Sequence, residues 1–543
     1  MSTAIHTATA DLAVLDSAHI GDIEGALGVI RQHDLAPRHT LRRRLATLLA
    51  VIGPGVIVMT GDNDAGAYAT YTQAGQTYGP TLLWTLILLI PVLYVCQEMV
   101  ARLGAVTGVG HARLIFERFG RFWGAFSVID LFLLNALTIV TEFIGISLAL
   151  DYFGVSKIIG VVVAAVLVIG AASTGSFRRF ERFALFLCLG SFVVVPIFLA
   201  VHPSAGTMAR GLALPMLPQG KLSDIMLLVI GIVGTTVAPW QLFFQQSYVV
   251  DKRLSPRFIA YEKADMWIGV AITQIGAIAM LAFAAAAFAG RPEFGNFTDA
   301  GGVAAGLAKY VGNWAGTLFA IGLIDAAILG AAAVGLSTAY AFGDVLSVRH
   351  SLHRRPTDAW GFYLVYGGIV AVAAVLVLIP GSPLGLVTEA VQVLAGVLLP
   401  SATVFLLLLC NDRAVLGPWV NTRWQNLVTG AIVVALLVLS FVLTLSVVFP
   451  DITDRQIIWV LCGGAGLGVI AFGASRLLTG GPAPAPAVAE GVRLAWRMPP
   501  LAQLPALRLP LAQRVWIMAL RVYLVAACLA VLVRVVQLTL AQS

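Results

Sequence analysis

Long apolar stretches separated by short polar links run through almost the whole chain. They predict helical spans at approximately 45–74, 80–101, 122–151, 158–173, 183–201, 222–248, 266–290, 311–345, 359–379, 384–410, 426–449 and 457–478. Most reach the roughly 20 residues an α-helix needs to cross a bilayer. Residues 1–44 read as a polar tail with room for a short amphipathic helix, ending in Arg42-Arg43-Arg44. Gly480-Gly481-Pro482-Ala483-Pro484-Ala485-Pro486 is a semi-rigid linker. Residues 515–540 are apolar again but carry Arg521 and Arg534. They form either a thirteenth span or a basic amphipathic helix on the membrane surface.

Two spans interrupt their own pattern. The first contains Thr60-Gly61-Asp62-Asn63-Asp64-Ala65-Gly66-Ala67 at its middle. Ionised carboxylates at that depth cost several kcal/mol and usually mark an ion or substrate path. Gly61 and Gly66 weaken the helix, and a broken helix exposes carbonyls that must line a cavity or be buried in protein. The stretch therefore reads as half of a cation site in a transporter. The sixth span carries Gly231, Gly234, Thr235, Thr236 and then Val237-Ala238-Pro239-Trp240-Gln241. Taken alone, Pro239 predicts a simple kink. Its correspondence with the broken first span, as the start of a second five-helix repeat, predicts the matching half-site instead.

Composition agrees with a polytopic membrane protein. Of 543 residues, 59% are hydrophobic and 11% charged, whereas soluble domains carry about a quarter charged residues. The net charge of +7 lies mostly in alternate loops, so it does not point to nucleic acid. One set of loops holds Arg102, Arg113, Arg118 and Arg121; Arg178, Arg179 and Arg182; Lys252, Arg253, Arg257 and Lys263; Arg349, Arg354 and Arg355; Arg413 and Arg423. The other set holds only Lys157, Arg210, Lys221, Arg291, Lys309 and Arg455. This asymmetry predicts an even span count to residue 478 and a cytoplasmic N-terminus in the cell's inner (plasma) membrane. Cys96, Cys188, Cys410, Cys462 and Cys528 lie in or beside apolar segments and read as buried helix residues. No cleavable leader is expected in the polar residues 1–40.

Specific motifs now carry a resemblance. Gly53-Pro54-Gly55, Asp64-Ala65-Gly66 and Gln73-Ala74-Gly75 resemble the first helix of the NRAMP (natural resistance-associated macrophage protein) divalent-metal transporters. Arg102-Leu103-Gly104-Ala105-Val106-Thr107-Gly108 is similar to the loop after their second helix, and Thr141-Glu142-Phe143-Ile144-Gly145 to their third. Val237-Ala238-Pro239-Trp240 lies where they have Val-Met-Pro-His, and Val391-Gln392-Val393-Leu394 with Leu399-Pro400 resembles their tenth helix. The resemblance covers about 45–430. It implies an all-α integral membrane protein of LeuT-type fold. Two inverted five-helix repeats, 45–201 and 202–410, would hold the ion between helices 1 and 6. Residues 411–478 and 479–543 would add the C-terminal helices.

The departures from the family pattern shift the expected ion. Asp64 keeps the family's aspartate, but its Pro and Asn are Ala65 and Ala67, and Asp62 and Asn63 are new. The family's Met is Ala238, its His is Trp240 and its third-helix Asp is Ile139, while Glu142 remains. This pattern resembles the NRAMP-related magnesium transporters. A thioether suits soft transition metals, and Ala238 removes it. Mg²⁺ wants octahedral oxygen ligation and keeps several waters. Asp64, Asp62, Asn63 and backbone carbonyls near Asn63 and Thr235 would supply such a site, with Ala238 leaving space and Gln392 reaching the ion or its waters. On an intact helix Asp62 and Asp64 would point about 200° apart, so the helix must be unwound for both to face the ion. A hydrogen-bonding role for Asp62 and a capping role for Asn63 remain open alternatives.

Trp240 and Ile139 cannot titrate, which leaves Glu142 as the group for a proton or for pairing with a neighbour. Gln241, Gln245 and Gln246 would line a hydrated path beyond the site, and Glu98 would pair with Arg102. The expected function is potential-driven Mg²⁺ uptake, also passing Mn²⁺, by alternating access without proton coupling. The alternatives are a proton-coupled Mn²⁺/Fe²⁺ importer of the standard family type, a trivalent-ion carrier, and a non-transporting sensor on the same fold. No enzyme motif and no resident cofactor are expected. The expected partners are divalent metal ions and the lipid bilayer.

Overall fold

The computed structural model describes residues 13–34, 36–379, 384–449, 452–479, 488–507 and, in part, 515–533. A helix stands at each of the twelve predicted spans, and among the described residues two of the spans are interrupted by non-helical residues. The first divides into Leu41–Val51, Pro54–Thr60 and Ala65–Tyr78, and the sixth into Leu222–Thr236 and Pro239–Asp251. Nine helices are long and apolar enough to cross a bilayer among the described residues, and the bent pair Leu41–Val51 and Pro54–Thr60 makes a tenth. Lys157–Ala172 is apolar but shorter. The linker 480–486 lies outside the described residues, as do Arg521 and Arg534 of the last apolar stretch. Within that stretch Val515–Ala527 is a short apolar helix.

Local chemistry explains where the first span divides. Gly53 takes a φ of 151°, a conformation open to glycine. Pro54 follows at the first helical position, where its missing N–H costs nothing. The exposed helix start is then capped from another helix. Asp265 of Ile259–Phe288 accepts from the amides of Gly53, Gly55 and Val56, the Gly55 bond being 2.7 Å. A Cβ on Gly55 would lie 2.6 Å from the Met266 nitrogen, so only glycine permits this crossing.

Pro54–Thr60 and Ala65–Tyr78 pack mainly against Ile259–Phe288, Leu41–Val51 packs against both that helix and the N-terminal hairpin, and Leu222–Thr236 packs against Leu384–Cys410. Arg121–Tyr152 and Asn313–Leu346 form the long central pair beside them. At the end of span 2, the expected Glu98–Arg102 pair is present at 3.1 Å, and Arg102 also donates to Asn421 and to the Trp419 carbonyl.

Where the polar N-terminal tail had room for a short amphipathic helix, its described residues hold a hairpin instead. Among its described residues, Ile23–Gly25 pairs antiparallel with Gly28–Ile30. A short 3₁₀ turn, Ser17–His19, precedes this hairpin. The segment lies across the end of the bundle as a strap. Asp16 is buried and receives a guanidinium fork from Arg354 and the His350 amide. The Ala26 amide donates to Glu181, which also pairs with Lys252 at 2.6 Å. One cysteine expectation also needs correction. Cys96, Cys188 and Cys410 are buried, but Cys462 is exposed because its side of Asp454–Thr479 faces away from the bundle.

Candidate functional site

The first break runs from Gly61 to Asp64. The Asp62 and Asn63 amides turn back to the Met59 and Thr60 carbonyls, which closes Pro54–Thr60 with a tight turn. The next helix starts when Asp64 Oδ1 accepts from the Ala67 amide at 2.9 Å. Asp64 is thus the N-cap of Ala65–Tyr78, and the capping alternative considered for Asn63 does not hold. Asn63 instead sends Nδ2 to the Thr273 carbonyl at 3.0 Å, leaving its oxygen unpartnered. Asp62 accepts from Gln241 through one oxygen and keeps the other unpartnered. Asp62, Asn63 and Asp64 are 1%, 2% and 4% exposed, so the break is closed to solvent.

The second break is Val237-Ala238, before Pro239. Thr236 turns its hydroxyl back to the Ile232 carbonyl and meets the Tyr71 hydroxyl at 2.7 Å. The Thr235 hydroxyl is buried without a partner. Ala238 is buried and offers a methyl group where a longer side chain would project. Trp240 is buried as well, with its ring 3.6 Å from where a Cβ on Gly61 would stand.

Two further helices close the space around both breaks. Gln392 of Leu384–Cys410 lies against Gly66 so tightly that a Cβ there would sit 1.9 Å from its Nε2. The Gln392 carbonyl also lies close to Gly234 beside the second break, 2.2 Å from a Cβ placed on it. Glu142 of Arg121–Tyr152 accepts from the Ala65 amide at 3.1 Å, and its second oxygen is unpartnered. Gly330 makes room for both acids, since a Cβ there would be 2.8 Å from the Glu142 carboxyl carbon and 3.0 Å from Asp64 Cβ.

The structure therefore brings Asp64, Glu142 and Gln392 together at the start of the half-helix Ala65–Tyr78. Asp62 turns to the other side, toward Gln241, so the two aspartates do not converge here. No three His, Cys, Asp or Glu side chains form a metal-holding group among the described residues. The notable chemistry is a set of buried, unpartnered groups: Thr60 Oγ1, Asp62 Oδ2, Asn63 Oδ1, Glu142 Oε1, Thr235 Oγ1 and Gln392 Nε2. Buried polar atoms are nearly always paired. A concentration of free oxygens is the surrounding that a cation with retained waters satisfies.

The expected hydrated path is packed shut. Gln241 accepts from Gln97 at 3.0 Å, Gln245 donates to Glu262, and Gln246 bonds His111 and the Val109 carbonyl. Sequence reasoning passed over Gln97, Gln274 and Gly330. Gln274, buried with both amide ends unpartnered, follows Thr273 inside an apolar span, and that polar pair was a readable signal. Gly330 carried none, because its role is the space it leaves.

The sequence profile of the "Natural resistance-associated macrophage protein-like" family matches residues 55–446. The chain belongs to this family. Similar curated relatives include the divalent metal cation transporter MntH of Pectobacterium carotovorum, 27% identical over 74% of this chain and 96% of its own. MntH 1 of Pseudomonas aeruginosa is 30% identical, over 70% of this chain and 88% of its own. Among solved structures, the Eremococcus coleocola manganese transporter superposes with a TM-score of 0.63 at 21% identity, over 83% of this chain and 96% of its own. The fold is the all-α membrane fold of these transporters, LeuT-type, with two inverted five-helix repeats and additional C-terminal helices. The profile match takes in both breaks, Glu142 and Gln392, so the site described above lies within the family's shared region.

Proposed function

We propose that this NRAMP-family chain carries divalent metal cations across the membrane by alternating access, with Mg²⁺ as the main ion and Mn²⁺ as a second. The relatives are named for divalent metal and manganese transport, which supports the ion class. Ala238 carries the choice of ion. The buried groups at the two breaks offer oxygen and amide donors, with a methyl at the position of the family's thioether. Mg²⁺ is held by one or two carboxylates with waters retained. Asp64 anchors the ion. Asp62 and the Asn63 oxygen complete the site when the break rearranges, and Gln392 and the Thr235 region bond its waters. The loop charges support a cytoplasmic N-terminus, with the chain in the inner (plasma) membrane.

Trp240 and Ile139, which carry no titratable group, support entry without proton coupling. An inside-negative voltage supplies about 2.3 kcal/mol per charge per 100 mV. A second reading, a proton-coupled Mn²⁺ or Fe²⁺ importer, is favoured by one observation: Glu142 lies against Asp64 at Gly330. Reconstituted liposomes with internal Mg²⁺ and pH dyes separate the two. The proposal expects Mg²⁺ uptake that the Asp64→Ala variant lacks, with no matching acidification. Acidification that tracks ion entry would establish the second reading.

A further inference from the structure

A cavity of 270 Å³ lies under the strap, away from both breaks. Its roof is the strap, including Ile20, Ile23 and Arg31. Its floor is the end of span 2 at Ala105–Gly108 and the link that follows Pro239–Asp251. Four arginines from three separate parts of the chain line it: Arg31 from the strap, Arg253 and Arg257 from the link, and Arg497 from the C-terminal segment.

The charge in this cavity is not balanced from within. Arg253 is committed to the Ala18 and Asp22 carbonyls and stands 3.7 Å from Glu24. Arg31, Arg257 and Arg497 make no ion pair with a carboxylate among the described residues. The one lining carboxylate, Asp34, is already paired with Arg38 at 3.0 Å. Arg497 spends two of its donor bonds on the neighbouring Leu494 and Trp496 carbonyls. Burial, and then the nearby Arg257 charge, push its guanidinium down to about 10. Like charges gathered in a part-buried hollow repel one another, and a bound anion removes that cost.

We propose that this cavity is a binding site for a compact phosphate-bearing anion, either a free polyphosphate or the phosphorylated headgroup of an anionic lipid. Guanidinium forks match phosphate oxygens in pairs. The volume falls just below the roughly 300–1,000 Å³ of sites that enclose a whole small molecule, so a phosphate group fits and a nucleotide base would remain outside. Because its arginines come from the strap, the link and the C-terminal segment, the anion ties these three together. By linkage it stabilises whichever transport state keeps the strap docked. The proposed orientation places this end of the bundle in the cytoplasm, where such anions are abundant.

Purified full-length protein in metal-free buffer decides the matter through binding rather than transport. One arm titrates inorganic tripolyphosphate and reads thermal stability. The second titrates phosphatidylinositol bisphosphate, as a rising mole fraction, in phosphatidylcholine nanodiscs and reads the same stability. The expected result is a saturable stabilisation in one arm, weakened at least ten-fold in Arg257→Gln/Arg497→Gln and retained in Arg413→Gln, which lies outside the cavity. If the double variant does not fold, Arg31→Gln on the exposed strap gives the same reading with a smaller shift. Saturation in the first arm assigns a free anion and in the second a lipid. No saturable effect in either, or equal effects in the wild type and the arginine variants, overturns the proposal.

Discussion

The two helix breaks face each other, yet they are built differently. The first carries two carboxylates and an amide within three residues, and its second half starts on an aspartate cap. The second carries no charge at all, and its helix restarts on a proline with no side-chain cap. One break supplies charge and the other supplies backbone carbonyls, a hydroxyl and space. Under the proposed function, the first break would set that a cation binds and the second would set which cation. Substitutions at the two breaks should accordingly fail in different ways.

The largest effect is expected at Asp64, which caps a half-helix and sits against Glu142. Asp64→Ala should abolish Mg²⁺ and Mn²⁺ uptake alike in the liposome assay, because it removes the anchor for either ion. Unchanged uptake would show that charge at the first break does not hold the ion. Asp62→Asn should be milder. Its side chain bonds Gln241 here, so the loss is that of a supporting group, about 10-fold in apparent affinity, with little change in the Mg²⁺ to Mn²⁺ ratio. A change in that ratio at Asp62 would blur the division between the breaks.

The smallest transport effect is expected far from both breaks. Asp16→Asn removes the fork from Arg354 and should expose the strap to protease while leaving the site's ion preference unchanged. Burial by itself would raise the Asp16 carboxyl, but Arg354 and the Ala18 and His350 amides outweigh it and hold it below the usual carboxylate range. A group with a lowered folded pKa stabilises above its unfolded value of about 3.9 and loses that contribution only as pH falls through the folded value. Strap protection from this pair should therefore be flat from pH 8 to pH 5. A loss of protection in that window would point to His19 or His353, whose imidazoles burial pushes down.

Much of this was legible in the chain. Span positions followed from apolar length, and both breaks followed from glycines, a proline and misplaced charge. The Glu98–Arg102 pair at a helix end was readable from its spacing. What stayed hidden depends on contacts distant in sequence. Asp265 capping the helix at Pro54 joins residues about 210 apart. The direction in which Asp62 and Asn63 turn depends on Gln241 and Thr273, which no local pattern names. The strap was hidden for a similar reason. Its hairpin is only three residues a side, and its docking rests on single polar residues such as Asp16 that look like an ordinary soluble tail.

The central claim is that the second break selects a hard ion because Ala238 stands in place of a sulfur ligand. It is tested most directly by Cd²⁺ competition against Mg²⁺ uptake in liposomes, for the wild type and Ala238→Met side by side. The account predicts that Cd²⁺ competes weakly with the wild type and on the order of ten-fold more strongly with Ala238→Met, since a thioether favours the softer ion. Strong Cd²⁺ competition in the wild type, unchanged by Ala238→Met, would contradict it.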